Sequence, residues 1–221
     1  MSWDDVRKAI VEACHRLEAG GLVAGASGNV SVKLPVTEGP VLLAITPSQV
    51  PYRVLKPDQI LIINLEGEVV EGEGRPSSEK LTHLAAYKAR EDVGAVIHSH
   101  SVYASALALA GQDLPPVLDE QVVALGGGVR CAEFGMSASE QLANNAMQAM
   151  GYNAAVLLRS HGVLSVGRTL DEVLDVAELV ERTAKIYVIA RGLGEVHQLP
   201  EKIAEIEAKF YRMQRGFPLE D

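Results

Sequence analysis

The stretch that decides the fold is "VGAVIHSH", residues 93–100, an apolar run that ends in two histidines. Five small or β-branched apolar residues in succession predict a strand buried on both faces. Side chains alternate between the two faces of a strand, so His98 and His100 project the same way, about one residue's width apart. The spacing therefore predicts that the two imidazoles share one site, where they could bind one metal ion.

The segments on either side of this strand contribute helices and a second histidine strand. "SSEKLTHLAAYKARE" (77–91) predicts a helix opened by serine, and "SASEQLANNAMQAM" (137–150) predicts another with a capping box from Ser137 to Glu140. "AAVLLRSHGVLSVG" (154–167) predicts an apolar strand, then His161, a glycine and a further apolar strand. Histidines thus stand at the ends of two predicted strands.

The rest of the chain adds strands early and helices at both ends. "SWDDVRKAIVEACHRLEAGG" (2–21) predicts an opening helix, and "NVSVKL", "VLLAIT" and "ILIINLEGEVV" predict short strands of a largely antiparallel sheet. Residues 169–194 and 201–214 predict two amphipathic helices. We expect an α/β fold, a three-layer α/β/α sandwich around a largely antiparallel mixed sheet, with 1–221 as a single domain. The order of strands in the sheet does not follow from these patterns.

Composition excludes several classes of partner. The formal net charge of −9, from 29 acidic and 20 basic side chains, gives no basic surface for nucleic acid or for an anionic membrane. No apolar run approaches the roughly 20 residues that span a bilayer, and the N-terminus does not have the form of a signal peptide. Cys14 and Cys131 lie far apart and predict neither a disulfide framework nor a zinc knuckle. We expect a cytoplasmic protein that binds neither nucleic acid nor membrane.

A metal site is the first candidate for chemistry. His98 and His100 as a pair are equally compatible with a core or surface role, and Glu79 and His161, at the edges of predicted elements, strengthen the metal interpretation. Three imidazoles with a carboxylate or water make a tetrahedral zinc site, and such a site also accepts cobalt or manganese. His83 shares a helical face with Glu79, which favours packing or support of the site. For His15 and His197 a surface role is favoured.

Small polar loops are the second candidate. Gly28-Asn29 precedes a strand, Thr46 and Ser48 follow one, and Ser77-Ser78 opens a helix whose free N–H groups favour an anion. Together these residues could hold a phosphate group. Each loop alone is also an ordinary turn or helix cap, and that alternative stays open for each of them.

Five motifs in order along the chain resemble the class II aldolase/adducin family: "GASGNVSVK", "ITPSQVPY", "RPSSEKLTHLAAY", "VIHSHSVYASALA" and "LLRSHGVLSVG". The resemblance spans about residues 1–215. It implies the family's α/β/α sandwich, usually a homotetramer with active sites between subunits. It also implies zinc ligands at His98, His100 and His161, with Glu79 as both ligand and acid/base. The implied phosphate cradle is formed by Gly28, Asn29, Ser77 and Ser78, with the turn from Thr46 to Ser48 alongside.

The chemistry implied by this resemblance is reversible cleavage of a ketose 1-phosphate, L-fuculose 1-phosphate or a related deoxy or modified pentulose 1-phosphate. The products are dihydroxyacetone phosphate and an aldehyde, formed through a metal-stabilised enediolate. Two alternatives within the family are a sugar-phosphate 4-epimerase, which usually has aspartate at the position of Glu79, and a methylthioribulose-1-phosphate dehydratase, in which the "PSSE" motif is usually changed. A non-enzymatic adducin-like module is disfavoured because its metal ligands are lost, whereas all three histidines are present here.

Two departures from the family pattern concern the substrate. Gln49 stands where the motif usually has glycine, which places close backbone approach to a phosphate in question. The family's interfacial tyrosine is missing from "PPVLDEQVVALGGG" (115–128), where Asp119 or Glu120 could replace it. A solvated turn before a strand is slightly favoured for that acidic pair. Tyr211 or a group from a neighbouring subunit are the other candidates for the second proton donor.

Overall fold

A single eight-stranded sheet organises the computed structural model, which describes residues 2–35 and 39–218. Its spatial order is β4-β3-β2-β1-β5-β8-β7-β6, and every neighbouring pair is antiparallel except β6 and β7. The strands are β1 (Asn29–Lys33), β2 (Leu42–Ile45), β3 (Leu61–Asn64), β4 (Val69–Glu71), β5 (Ala95–Ser99), β6 (Cys131–Ala132), β7 (Ala155–Leu158) and β8 (Gly162–Gly167). The prediction of a largely antiparallel mixed sheet is confirmed.

Seven α-helices accompany the sheet within the described residues. They are α1 (Trp3–Ala19), α2 (Lys80–Ala89), α3 (Val102–Ala110), α4 (Asp119–Leu125), α5 (Glu140–Met150), α6 (Leu170–Leu193) and α7 (Glu201–Gln214). The sequence did not predict α3 or α4. None of the helices in the described part of the chain combines the length and apolar character that crossing a membrane requires.

Both faces of the sheet are covered, because the central strands are apolar on both sides. In β2, Leu43 and Ile45 join a core cluster that includes residues of α2 and α5, whereas Leu42 and Ala44 join a cluster with residues of α1 and α6. A third cluster packs α3, α4, α7 and the middle of α6 beside β7 and β8. This layering confirms the α/β/α sandwich.

Three local predictions were wrong at helix starts. The second helix begins at Lys80 with Glu79 as its N-cap, so serine does not open it. The fifth helix is capped by Ser139, whose hydroxyl accepts from the Leu142 amide, and the predicted capping box from Ser137 does not form. Asp119 and Glu120, expected in a solvated turn before a strand, are instead the first residues of α4. Acidic side chains at this end of a helix interact favourably with the helix dipole.

Candidate active site

The three predicted histidines lie on two neighbouring strands at the centre of the sheet. His98 is in β5 and His100 follows the end of that strand, while His161 immediately precedes β8. The antiparallel pairing of β5 with β8 sets Ser99 opposite Val163, which brings the end of one strand beside the start of the other. This register places the three imidazole rings in edge-to-face contact, with centroids 4.7 to 5.0 Å apart.

The side chain of Glu79 reaches the three rings from the N-terminus of α2. Its Oε2 lies 3.1 Å from Nε2 of His98, and its Oε1 lies 3.0 Å from Nε2 of His161. The Nε2 atoms of His98 and His100 are 2.8 Å apart. One ligand atom from each of these four residues falls within 4.8 Å of all the others. The structure therefore brings the predicted set of metal ligands together.

A hydrogen bond sets the protonation pattern of His98. Its Nδ1 is 2.8 Å from the carbonyl oxygen of Val163, and a carbonyl only accepts, so Nδ1 carries the hydrogen. A neutral His98 ring then presents the lone pair of Nε2 to the centre of the cluster. A backbone carbonyl behind the distal nitrogen is the usual support of a metal-ligating histidine.

The charges in the cluster favour a cation at its centre. Burial opposes the negative charge of Glu79, but the neighbouring His161 and His98 side chains and the Ser137 hydroxyl outweigh it and hold the pKa of this carboxyl well below its usual range. Burial, with the neighbouring His98 and His161, lowers the pKa of His100 to about 4. Neutral imidazole and ionised carboxylate are the forms that bind divalent metals. The donor set fits a zinc ion, and such a set also accepts cobalt or manganese.

A cavity of about 210 Å³ adjoins these residues. Glu79, His100 and His161 line one part of it, and small polar residues line the remainder. Of the residues that the sequence suggested for phosphate binding, five line this cavity: Gly28, Asn29, Ser48, Ser77 and Ser78. The site thus combines a cluster of metal-type ligands with a polar recess large enough for a small anion.

Comparison with known proteins agrees with this geometry. The sequence profile described as the class II aldolase and adducin N-terminal domain matches residues 8–188. The chain belongs to the class II aldolase/adducin family. Enzymes of this class are metal-dependent lyases, and the four converging ligands of this chain form a group able to bind a metal.

Relatives of this class II aldolase cover nearly its whole length. It is 39% identical over 204 residues to the 5-deoxy-D-ribulose 1-phosphate aldolase of Bacillus thuringiensis serovar kurstaki, covering 92% of this chain and 93% of the relative. It is 34% identical over 193 residues to the 5-methylthioribulose-1-phosphate/5-deoxyribulose-1-phosphate aldolase of Escherichia coli O45:K1, covering 86% of each. A solved L-fuculose 1-phosphate aldolase superposes with a TM-score of 0.88 at 36% identity, covering 94% and 96% of the two chains.

Thr46 is the sixth residue that the sequence suggested for phosphate binding. It is buried and is not among the described residues that line the cavity. Its hydroxyl accepts a hydrogen bond from the Val30 amide, and its carbonyl accepts one from the Ser77 amide. The Ser48 amide in turn donates to the carbonyl of Arg75. Thr46 therefore joins the loop after β2 to the loop before α2, which holds two walls of the cavity together.

Two positions in the cavity wall have left-handed backbone. Gly28 has a φ of 85°, and a Cβ there would lie 2.7 Å from the carbonyl oxygen of His98, so only glycine permits this approach. Gln49 has a φ of 63°, a conformation that glycine adopts freely and other residues adopt at a cost. The chain therefore keeps the glycine-type turn at Gln49 at some conformational cost, and its side chain is exposed.

The candidates for a second proton donor lie elsewhere in the described chain. Tyr211 is buried in the third core cluster, with its ring beside the Arg215 guanidinium. Glu120 forms an exposed ion pair with Arg182, and Asp119 is exposed beside it at the start of α4. None of the three lines the cavity within the described residues.

Two contributions to the site were missed or only partly seen in the sequence. Ser137 donates a hydrogen bond of 2.6 Å to Oε1 of Glu79, although its spacing from Glu140 had suggested a helix cap. His83, expected to pack or support the site, is fully buried and hydrogen-bonded to Asn29 and Ser31. His15 and His197 are exposed, in agreement with the surface role favoured for them.

Proposed function

We propose that this class II aldolase is zinc-dependent and cleaves a ketose 1-phosphate reversibly to dihydroxyacetone phosphate and an aldehyde. The observation that carries the proposal is the convergence of three imidazoles and one carboxylate beside a recess of small polar residues. The activities for which its relatives are named favour a 5-deoxypentulose 1-phosphate, with 5-methylthioribulose 1-phosphate and L-fuculose 1-phosphate as the next substrates to test.

His98, His100, His161 and Glu79 would hold the metal through the atoms that face one another. When bound, a zinc ion supplies Lewis acidity that draws electron density from a carbonyl oxygen and makes the adjacent carbon acidic. The Val163 carbonyl would keep the distal nitrogen of His98 protonated and its ring fixed.

Glu79 would handle the proton on the carbon next to the carbonyl. In the direction of condensation its ionised carboxylate takes a proton from dihydroxyacetone phosphate, and in cleavage it returns that proton to C3. Cleavage also transfers the proton of the C4 hydroxyl to a second acid/base, which the proposed neighbouring subunit would supply, while the electron pair of the C3–C4 bond stays with C3.

The polar recess would bind the phosphate group. The backbone at Gly28 and Ser48, the amide of Asn29 and the hydroxyls of Ser77 and Ser78 surround it. The recess adjoins the N-terminal end of α2, where the helix dipole adds favourable partial positive charge for an anion. A protein with a net charge of −9 can bind an anionic sugar in this way because the recognition is local.

The proposal includes a homotetramer whose neighbouring subunit completes each site. The proton donor candidates of the single chain lie outside the cavity, and α7 exposes four large apolar side chains: Ile203, Ile206, Phe210 and Met213. Exposed apolar surface of this kind is typical of protein interfaces. Light scattering coupled to size exclusion tests this part, because a monomer at micromolar concentration would contradict it.

The deciding experiment measures release of dihydroxyacetone phosphate with a coupled reductase. The substrates are 5-deoxyribulose, methylthioribulose, fuculose and rhamnulose 1-phosphates, each with and without a chelator. Release from at least one of them, stopped by the chelator and restored by zinc, is the expected result. No release from the metal-loaded protein would refute the aldolase and favour the 4-epimerase or dehydratase.

Variants assign the roles of the ligands in the same assay. His98→Ala and His161→Ala are expected to lose both bound metal and activity. His197→Ala is the matched control, because this exposed histidine lies outside the site and should leave both unchanged. Glu79→Gln removes the acid/base, and full turnover of this variant in added zinc would contradict the role of Glu79. The cytoplasmic location stays a prediction from the sequence and is tested by cell fractionation.

A further inference from the structure

A buried chain of hydrogen bonds leads from the core to Glu79. The hydroxyls of Tyr87 and Ser31 are 2.9 Å apart, and the Ser31 hydroxyl is 2.6 Å from Nδ1 of His83. Nε2 of His83 bonds to Oδ1 of Asn29, whose Nδ2 donates to Oε2 of Glu79 at 3.2 Å. All five residues are buried, and His83 and Ser31 are completely inaccessible. This series of hydrogen bonds connects Asn29 and Glu79, which line the cavity, to three side chains that do not: His83, Ser31 and Tyr87.

The chemistry of each group fixes the direction of every bond in this chain. A carboxylate oxygen only accepts, so the Asn29 atom that faces Glu79 is the NH₂ group and its carbonyl faces His83. That carbonyl also only accepts, so Nε2 of His83 carries the hydrogen. Burial lowers the pKa of His83 to about 3, and a neutral ring leaves Nδ1 to accept from Ser31. The Ser31 oxygen then accepts from Tyr87.

We propose that His83 is a positioning residue that holds the side-chain amide of Asn29 with its NH₂ group turned toward Glu79 and the cavity. The two ends of an amide have nearly the same shape, so packing alone does not choose between them, whereas the Glu79 carboxylate and the hydrogen on Nε2 of His83 together do. The opposite orientation would place a carbonyl oxygen against the Glu79 carboxylate and remove an N–H donor from the recess. The role in catalysis rests on the function proposed above.

The register of the central strands supports this role. Asn29 lies directly opposite His98 in the pairing of β1 with β5, so its amide sits within the group of ligands. His83 lies four residues after Glu79, the N-cap of α2, and both side chains form hydrogen bonds with residues of β1. The helix therefore supplies both the carboxylate and the group that orients its neighbour.

Nuclear magnetic resonance of the ¹⁵N-histidine protein tests the proposal without any substrate. Neutral His83 with its hydrogen on Nε2 is the expected state from pH 6 to 8, assigned by the signals that disappear in His83→Gln. A hydrogen on Nδ1 alone, or a doubly protonated ring, would overturn the proposal. This result does not depend on turnover, so it distinguishes failure of the positioning role from failure of the proposed aldolase.

Substitutions then separate positioning from a merely structural role. His83→Gln keeps a donor and an acceptor on one side chain, whereas His83→Met keeps the volume without either. We expect His83→Met to weaken inorganic phosphate binding about 10- to 100-fold, the effect of one hydrogen bond to a charged group, and His83→Gln to stay within about 3-fold of wild type.

A double-mutant cycle gives the second readout. In an Asn29→Ala background, His83→Met should cause no further loss of phosphate affinity, because the group that it orients is gone. Tyr87→Phe is the control at the far end of the chain, since Ser31 still donates to His83 in its absence. The proposal would be overturned if His83→Met lowered phosphate affinity by the same factor in the Asn29→Ala background as in wild type. Wild-type phosphate affinity in folded His83→Met would also overturn it.

Discussion

Gly162 lies between the metal-type ligands, and replacing it with alanine is a direct test of how tightly they are held. It is the first residue of β8, next to His161. A Cβ built on Gly162 would lie 2.3 Å from the Ser99 carbonyl oxygen, 3.1 Å from Cδ2 of His100 and 3.3 Å from Cε1 of His98. Real Cβ contacts essentially never fall below 3.0 Å, so the two strands must separate by at least 0.7 Å.

A displacement of this size is large for a catalytic site. Productive geometry is held to about 0.5 Å, and a misplacement of about 1 Å lowers the rate by about 10²-fold. The clash involves backbone of β5 and the rings of two ligands at once, so rotation of a single side chain does not relieve it. We therefore expect Gly162→Ala to lower kcat/KM about 10- to 100-fold and to weaken zinc binding by a similar factor.

The assay measures zinc affinity by competition with a chromophoric chelator, and kcat/KM by release of dihydroxyacetone phosphate. Gly192→Ala is the matched control, because this glycine lies within α6 with nothing within 4 Å of a new Cβ. It should retain both properties and increase the free energy of unfolding by about 1 kcal/mol. Wild-type zinc affinity and kcat/KM in Gly162→Ala would refute the reasoning.

Three further predictions concern charge, burial and backbone strain. Hydrogen bonds from Arg90 and Arg215 outweigh burial and lower the pKa of Asp92, so the stability that its charge contributes is present at pH 7 and is lost below about pH 4. In urea unfolding, the difference in the free energy of unfolding between wild type and Asp92→Asn should become smaller on acidification. A difference that does not change with pH would contradict this. Burial raises the pKa of Cys14 to about 12, so aromatic disulfide reagents at pH 8 should modify this thiol only in denaturant. Rapid labelling of Cys14 in the folded protein would count against this. Gln49→Gly removes the strain of a φ of 63° but adds the conformational entropy that glycine loses on folding, so we expect a net increase of about 0.5 kcal/mol in the free energy of unfolding. A Tm below that of wild type would disprove this.

The sequence was most informative where chemistry and local geometry coincide. His98 and His100 could be assigned to one face because side chains alternate along a strand. His161 could be assigned to the end of a second strand because it follows an apolar run of its own. Their meeting with one another depends on the register of β5 with β8, which no local pattern determines. The family resemblance supplied that step, and the structure brings the residues together.

Local patterns misled where one spacing fits two structures. Ser137 precedes Glu140 by three residues, as in a capping box, but the helix is capped by Ser139 and the Ser137 hydroxyl is left to bond Glu79. His83 and Asn29 lie 54 residues apart, so their bond was outside the reach of any periodicity argument. The strand order was inaccessible for the same reason, since β1 pairs with β5 across three intervening strands and an α-helix.

The placement of the ligands on central strands ties metal binding to the course of folding. Asn29 pairs with His98 across 69 residues, and Ser99 pairs with Val163 across 64 residues. Contacts this distant along the chain form late, after the entropy of closing long loops has been overcome. A nascent chain cannot assemble the cluster before His161 has been added to it. A metal ion held by this cluster would therefore stabilise the finished sheet rather than its early fragments, because its ligands meet only after both long-range pairings have formed.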